Sequence, residues 1–270
     1  MKLSSVIICG HKKKFLSKTF TYKKRPVYEK KFIINGKYYR NFYQCKICEH
    51  MYASHKFDIK QLYSKQYLEF TYKDENGIHK RFNKITKLPI LKSDKKNRAK
   101  RVNQFFSKKN LKLLDVGSGT GVFMYEMRKK SWKVSGIEMD KRYANYCKKF
   151  HKLQVYHQKL SKFKLFKTFN LISFNKVLEH VKNPIGLLNL SKKFLLKSGI
   201  IYIEVPYIKA KTEGKHRQEF CIDHLNVFSK SSLILMARKC GLISLGIKEI
   251  HEPSGKFTLY GFFKIGKVKD

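Results

Sequence analysis

The 270-residue sequence lacks any uninterrupted apolar run near the roughly 18 residues that a membrane-spanning helix requires, so an integral helical membrane protein is excluded. It also lacks a secretory leader pattern. The short run Val6-Ile7-Ile8-Cys9 is followed by Gly10-His11-Lys12-Lys13-Lys14, which reverses the order of charge and apolarity used for export, and a cytoplasmic location is expected. No internal repeat is present, which argues against a solenoid or propeller. Six cysteines in such a chain point to metal binding or buried thiols rather than to a disulfide framework.

Acidic residues are scarce. Nineteen Asp and Glu stand against 60 Lys and Arg, giving a formal net charge of +41. A surface that basic attracts phosphate polymers by counterion release, and Lys92, Lys95, Lys96, Arg98, Lys100 and Arg101 form a tract suited to tracking them. The competing explanation is compositional, because Lys, Ile, Phe, Asn and Tyr are all favoured by AT-rich coding. Coding bias alone does not explain the shortage of Glu, whose codons are also AT-rich.

What is present is enough apolar sequence, 42%, to bury a substantial core. Residues 1–91 carry scattered aromatic and basic side chains without sustained periodicity and read as a small irregular module, one able to bind zinc. Residues 92–110 read as a basic linker or solvated helix. From 111 to 270, short apolar strands alternate with amphipathic helices, the pattern of an α/β Rossmann-like fold with a parallel sheet. Strands are expected at 111–116, 133–138, 153–157, 169–174 and 199–205, and helices at 121–130, 141–150, 184–196 and 230–239. Segments 242–250 and 256–263 would close the sheet as a C-terminal antiparallel strand pair.

The run Leu113-Leu114-Asp115-Val116-Gly117-Ser118-Gly119-Thr120-Gly121 puts three glycines at alternate positions where a strand hands over to a helix. A tight turn and close backbone approach to a ligand need residues without Cβ. The dinucleotide fingerprint wants its third glycine at position 122, which is Val122, so a nucleoside ligand without a pyrophosphate is favoured over nicotinamide chemistry. Glu138, 17 positions beyond Gly121 at the end of the next strand, is placed to accept hydrogen bonds from ribose hydroxyls.

This run resembles motif I of class I S-adenosylmethionine-dependent methyltransferases. Asn170–Val181 is similar to their fourth-strand motif and Leu196–Pro206 to their fifth. The resemblance implies that Asp115, Gly117, Ser118, Gly119 and Gly121 line the methionine side, Glu138 the ribose, and Asn175 or Lys176 the cofactor edge. Lys159 stands where many relatives hold the adenine amine with an acid.

Cys45-Lys46-Ile47-Cys48 has the spacing that lets two thiolates grip one tetrahedral zinc, with Cys9 as a third arm. The arrangement resembles the N-terminal zinc module of sugar C-methyltransferases, although Val6 stands where a first cysteine is expected and Glu49 replaces a glycine. His11, His50 or His55 are available as a fourth ligand. His50 follows the knuckle most closely and completes the expected set.

Two acid–histidine pairs are candidates for acceptor deprotonation, Glu179-His180 after the fourth strand and Asp223-His224 after the fifth. The stretch Cys221–Ser229 is similar to a Tyr-x-Glu-His-Leu-x-x-Phe-Ser segment of sugar C-methyltransferases. Asp223 and His224 match the acid and histidine, and Cys221 replaces the tyrosine. His224, Asp223 and His180 are therefore the expected catalytic residues. The expected function is S-adenosylmethionine-dependent methyl transfer to a sugar, nucleotide-sugar or related metabolite. The alternatives are an RNA or DNA methyltransferase, weakened because no Asn-Pro-Pro-Tyr or Asp-Pro-Pro-Tyr tetrad follows the fourth strand, and a non-catalytic binding protein on the same fold. The oligomeric state is left open.

Overall fold

The computed structural model describes residues 2–29, 34, 36–58 and 75–266; the rest of the 1–91 module lies outside the described residues. Strands β1 (Leu16–Tyr22), β2 (Arg40–Cys45) and β3 (Met51–His55) form an antiparallel meander. The expectation of an irregular module is thus corrected. These strands are five to seven residues long, and the sheet is completed from far away in sequence by β9 (Asn226–Val227), which pairs with Met51 and Tyr52. Such a short, mostly buried strand as β3 shows little alternation, so period-2 reading misses it.

Helix α1 (Glu75–Lys87) packs Ile78 and Phe82 into the core. Helix α2 (Asp94–Gln104) starts at Ser93, whose hydroxyl accepts the Lys96 amide hydrogen at 3.3 Å. The main sheet follows, with strands β4 (Lys112–Val116), β5 (Lys133–Glu138), β6 (Gln154–His157), β7 (Phe169–Asn175), β8 (Leu195–Pro206), β10 (Leu242–His251) and β11 (Phe257–Ile265) in the order β10-β11-β8-β7-β4-β5-β6. Strands β4 to β8 are parallel to one another, and β11 inserts antiparallel between β8 and β10. Helices α3 (Val122–Arg128), α4 (Lys141–His151), α5 (Pro184–Ser191) and α6 (Lys230–Lys239) complete the layers. Buried residues cover both sheet faces, with Ile172, Phe174 and Ile203 in one cluster and Leu113, Leu171 and Tyr202 in another. This is the Rossmann-like architecture with the antiparallel closing pair.

Strand order reverses at β4, which lies between β5 and β7, and that switch point places the carboxyl ends of β4, β5 and β7 around one crevice. The tract read as a phosphate-tracking face is partly something else. Arg98 is buried on α2 and pairs with both oxygens of Glu204 on β8, and Arg101 donates to Glu204 at 2.9 Å. Tyr202 donates to the same carboxylate at 2.8 Å. These two arginines clamp the helix to the sheet and are not available as surface charge.

Candidate active site

The crevice has two halves. On one side, Gly117, Gly119 and Gly121 all have positive φ, at 75°, 54° and 76°, which turns the chain sharply out of β4 and into α3. A Cβ on Gly117 would sit 2.7 Å from Val177, and one on Gly121 would sit 2.8 Å from the Cys147 sulfur, so both are packing glycines. At Gly119 a Cβ would meet nothing within 4 Å. That glycine faces open space, as a cradle for a ligand requires. The Glu138 carboxylate accepts the Gly119 amide hydrogen at 2.7 Å and the Asp140 amide hydrogen at 2.9 Å, so the loop and the tip of β5 are fastened together. Burial raises the Glu138 carboxyl above its ordinary range, partly offset by these donors.

Asp115 is buried at the end of β4 and accepts from Ser173 and Asn175, each at 2.7 Å. It therefore fixes the ends of β4 and β7 rather than presenting both oxygens to the crevice. Among the described residues, Ser118 Oγ and Asn175 Oδ1 are buried without hydrogen-bond partners. Open space at Gly119, in a crevice where Ser118 of the same loop and Asn175 of β7 each keep one orphaned polar atom, fits a polar ligand such as the amino-acid end of S-adenosylmethionine.

On the other side lies a cavity of about 270 Å³ lined by Tyr28, Glu29, Lys176, Glu179, His180, His224 and neighbours. Lys176 follows β7 with φ of 58° and donates to Thr258 on β11. The next residues form a 3-10 turn, Leu178–His180, which delivers Glu179 and His180 to the cavity. His180 Nδ1 donates to the Asp223 carbonyl at 2.9 Å, and His224 Nδ1 donates to the Glu219 carbonyl at 2.8 Å. A carbonyl can only accept, so each ring carries a proton on Nδ1. The rings meet edge to face, with centroids 4.8 Å apart. Burial and the neighbouring His180 hold His224 in its neutral form.

The loop carrying His224 is held by the N-terminal module. Arg40, fully buried, donates to the Phe220 carbonyl at 2.7 Å and pairs with Glu29. His55 Nε2 donates to the Ile222 carbonyl at 2.9 Å, and the Ala53 amide donates to the Leu225 carbonyl at 2.9 Å. Sequence reasoning did not find Glu29 or Arg40 as site residues, and it placed Lys176 at the cofactor edge rather than in this cavity. No local motif marks the first two; the signal was only that a basic chain keeps an acid at position 29.

Cys9, Cys45 and Cys48 come together with His11, one ligand-capable atom from each within 4.8 Å of the others. His50 is the correction. Its ring is fully buried between Tyr52 and Phe228 and bonds to Ser232 at 3.0 Å and Asn226 at 3.3 Å, so it docks the module against α6 instead of joining the cysteines. A residue two positions beyond Cys48 is carried away by β3, whereas His11 lies at 3.3 Å from Cys45 Sγ.

A family model described as a methyltransferase domain matches residues 90–243, more than half of the sequence. The chain belongs to the methyltransferase domain family. S-adenosylmethionine-dependent methyl transfer is accordingly its activity class. No match emerges among curated protein sequences. Among solved structures, this methyltransferase is similar to the Burkholderia thailandensis 1,6-didemethyltoxoflavin-N1-methyltransferase, at 12% identity and a TM-score of 0.53 over 72% of this chain and 87% of that one. It is also similar to a SAM-dependent methyltransferase from Aquifex aeolicus, at 19% identity and a TM-score of 0.51 over 70% and 98%. A Haloferax volcanii methyltransferase solved with its Trm112 activator matches at 11% identity and a TM-score of 0.57 over 74% and 99%. At these identities the likeness is one of fold.

Proposed function

We propose that this methyltransferase transfers the methyl group of S-adenosylmethionine to a small acceptor, a sugar, nucleotide-sugar or related metabolite, held in the cavity beneath His180 and His224. The observation that carries the reading is the pair of imidazoles, each anchored through Nδ1 to a backbone carbonyl, in a cavity of about 270 Å³ next to the glycine loop. That volume suits a metabolite-sized group, and the enzyme's task in an in-line displacement is to orient the acceptor and see its proton removed. Support also comes from the fold neighbour named as a methyltransferase of 1,6-didemethyltoxoflavin, a small molecule. A nucleic-acid acceptor is less favoured because Arg98 and Arg101 are engaged by Glu204.

In this reading Gly117, Ser118, Gly119 and Gly121 cradle the methionine end, Glu138 holds the ribose, and Asp115 and Asn175 keep the strand ends in register. When bound, S-adenosylmethionine supplies an electrophilic methyl on a sulfonium. His224 and His180 are the groups that act at the acceptor, with Asp223 fixing their surroundings. The N-terminal module is a structural clamp whose Cys9, His11, Cys45 and Cys48 would hold one zinc in a closed set with no open position. The test is a labelled-methyl screen across nucleotide-sugars, small hydroxylated acceptors and bulk RNA. Incorporation into a small acceptor is expected; incorporation into RNA alone would overturn the acceptor class.

A further inference from the structure

The acceptor cavity carries more acid than this chain can easily spare. Four of its 19 acids line it, Glu29, Glu179, Glu219 and Asp223, against two lysines, Lys176 and Lys256. Glu29 is engaged by Arg40 and Glu219 by Arg217. Glu179 differs. It is 1% exposed, and its Oε2 is buried with no hydrogen-bond partner among the described residues. Lys176, which lines the same cavity, directs its ammonium to Thr258. A buried carboxylate oxygen left without a partner is costly, and native structures keep one where something else binds it.

One ligand-capable atom each from Glu179, His180 and His224 lies within 4.8 Å of the other two. Both imidazoles donate Nδ1–H to backbone carbonyls of the same loop, of Asp223 and Glu219. That outer bond is the one that fixes a metal-ligating histidine's tautomer and aims its Nε2. We infer that Glu179, His180 and His224 form a divalent-cation site in the acceptor cavity. Two imidazole nitrogens and one carboxylate oxygen suit a first-row cation such as Mn2+, Fe2+ or Zn2+, and three protein ligands leave positions open on the cavity side. The inference rests on the acceptor occupying this cavity and sharpens the chemistry there. The two imidazoles ligate instead of taking a proton, and the cation lowers the pKa of an acceptor hydroxyl bound beside it. The hydroxyl proton passes to water, the oxygen forms the new bond to the methyl carbon, and the carbon–sulfur bond breaks with its electron pair remaining on sulfur. The site therefore selects an oxygen acceptor. It is distinct in kind from the thiolate cluster of the N-terminal module, which is closed and sulfur-rich.

The full chain, stripped with a chelator, is titrated with Mn2+ while the free-ion paramagnetic resonance signal is followed, and S-adenosylhomocysteine binding is measured in parallel by calorimetry. One Mn2+ per chain is expected, with 14N couplings from histidine in pulsed spectra of the unaltered protein. Glu179→Gln and His180→Asn should weaken it by more than about tenfold, and Cys45→Ser should leave it unchanged. Absence of 14N coupling, or Mn2+ affinity unmoved by both cavity variants, overturns the site. S-adenosylhomocysteine binding to a chain that fails to bind Mn2+ overturns the cation site alone, whereas failure of S-adenosylhomocysteine to bind the unaltered chain strikes at the methyltransferase assignment.

Discussion

The two halves of the crevice are built in opposite ways. The cofactor side is one contiguous loop and one strand tip, joined by the Gly119–Glu138 hydrogen bond, and nearly every group in it comes from residues 115–140. The acceptor side is assembled from residues around 28, 40, 55, 180 and 224, and the N-terminal sheet is what holds the His224 loop. A local half depends on backbone conformation; a composite half depends on long-range bonds. The halves should therefore fail separately.

The largest expected effects test that separation. His224→Ala should lower kcat by about 10²- to 10⁴-fold, the usual scale for a group that assists deprotonation of the acceptor, while S-adenosylhomocysteine affinity stays within about twofold. Gly119→Val should do the reverse to binding. A β-branched residue at φ of 54° is strained, and its side chain enters the space the cradle leaves open, so S-adenosylhomocysteine affinity should fall by more than about 100-fold in a folded chain. Isothermal titration and initial rates read both. If His224→Ala also abolished cofactor binding, the two halves would be one unit.

The same contrast explains what was legible in the sequence. Strand and helix positions from 111 onward were readable because each element carries its own period, and the glycine loop because steric demand selects glycine at particular positions. Helix α5 is shorter than its pattern suggested, since Phe194 and Leu195 turn inward to open β8 at 195 rather than 199. Acceptor residues were only half visible. His180 and His224 stand beside acids in recognisable stretches, but Arg40 becomes meaningful only when the fold brings it to the Phe220 carbonyl. Spacing favoured His50 over His11 and chose the wrong one, because which histidine reaches the cysteines is decided by how β2 and β3 turn. The basic tract misled for a related reason: burial of Arg98 against Glu204 is a tertiary fact.

That Arg98–Glu204–Arg101 cluster sits behind both halves, since Glu204 lies on β8 beside Asn175. Glu204→Gln leaves the buried Arg98 guanidinium and the half-buried Arg101 without a carboxylate, and removing one partner of a buried ion pair costs about 3–5 kcal/mol. A Tm decrease of roughly 10 °C is expected by calorimetry for a chain of this size. The loss should affect both halves together, in contrast to the two site variants. An unchanged Tm would show that α2 is held to the sheet by apolar contacts alone.

The smallest expected effect compares two carboxyls that are both raised by burial. Glu138 receives two backbone N–H donors; Glu252, in the turn between β10 and β11 on the acceptor side, has no hydrogen-bond partner for either oxygen among the described residues. Burial first, and the neighbouring Glu204 second, push Glu252 up to about 7 from an ordinary 4.5. A carboxyl raised in the folded state binds more protons there than in the unfolded chain. Its contribution is therefore favourable below the unfolded value, and stability declines as pH rises from about 4.5 through 7, by at most about 3 kcal/mol. Glu252→Gln should remove that decline, so its urea midpoint should exceed that of the unaltered chain at pH 8 and converge with it at pH 5. Equal midpoints at pH 8 would mean that Arg98 and Lys176 already stabilise the ionised carboxylate as well as backbone donors stabilise Glu138.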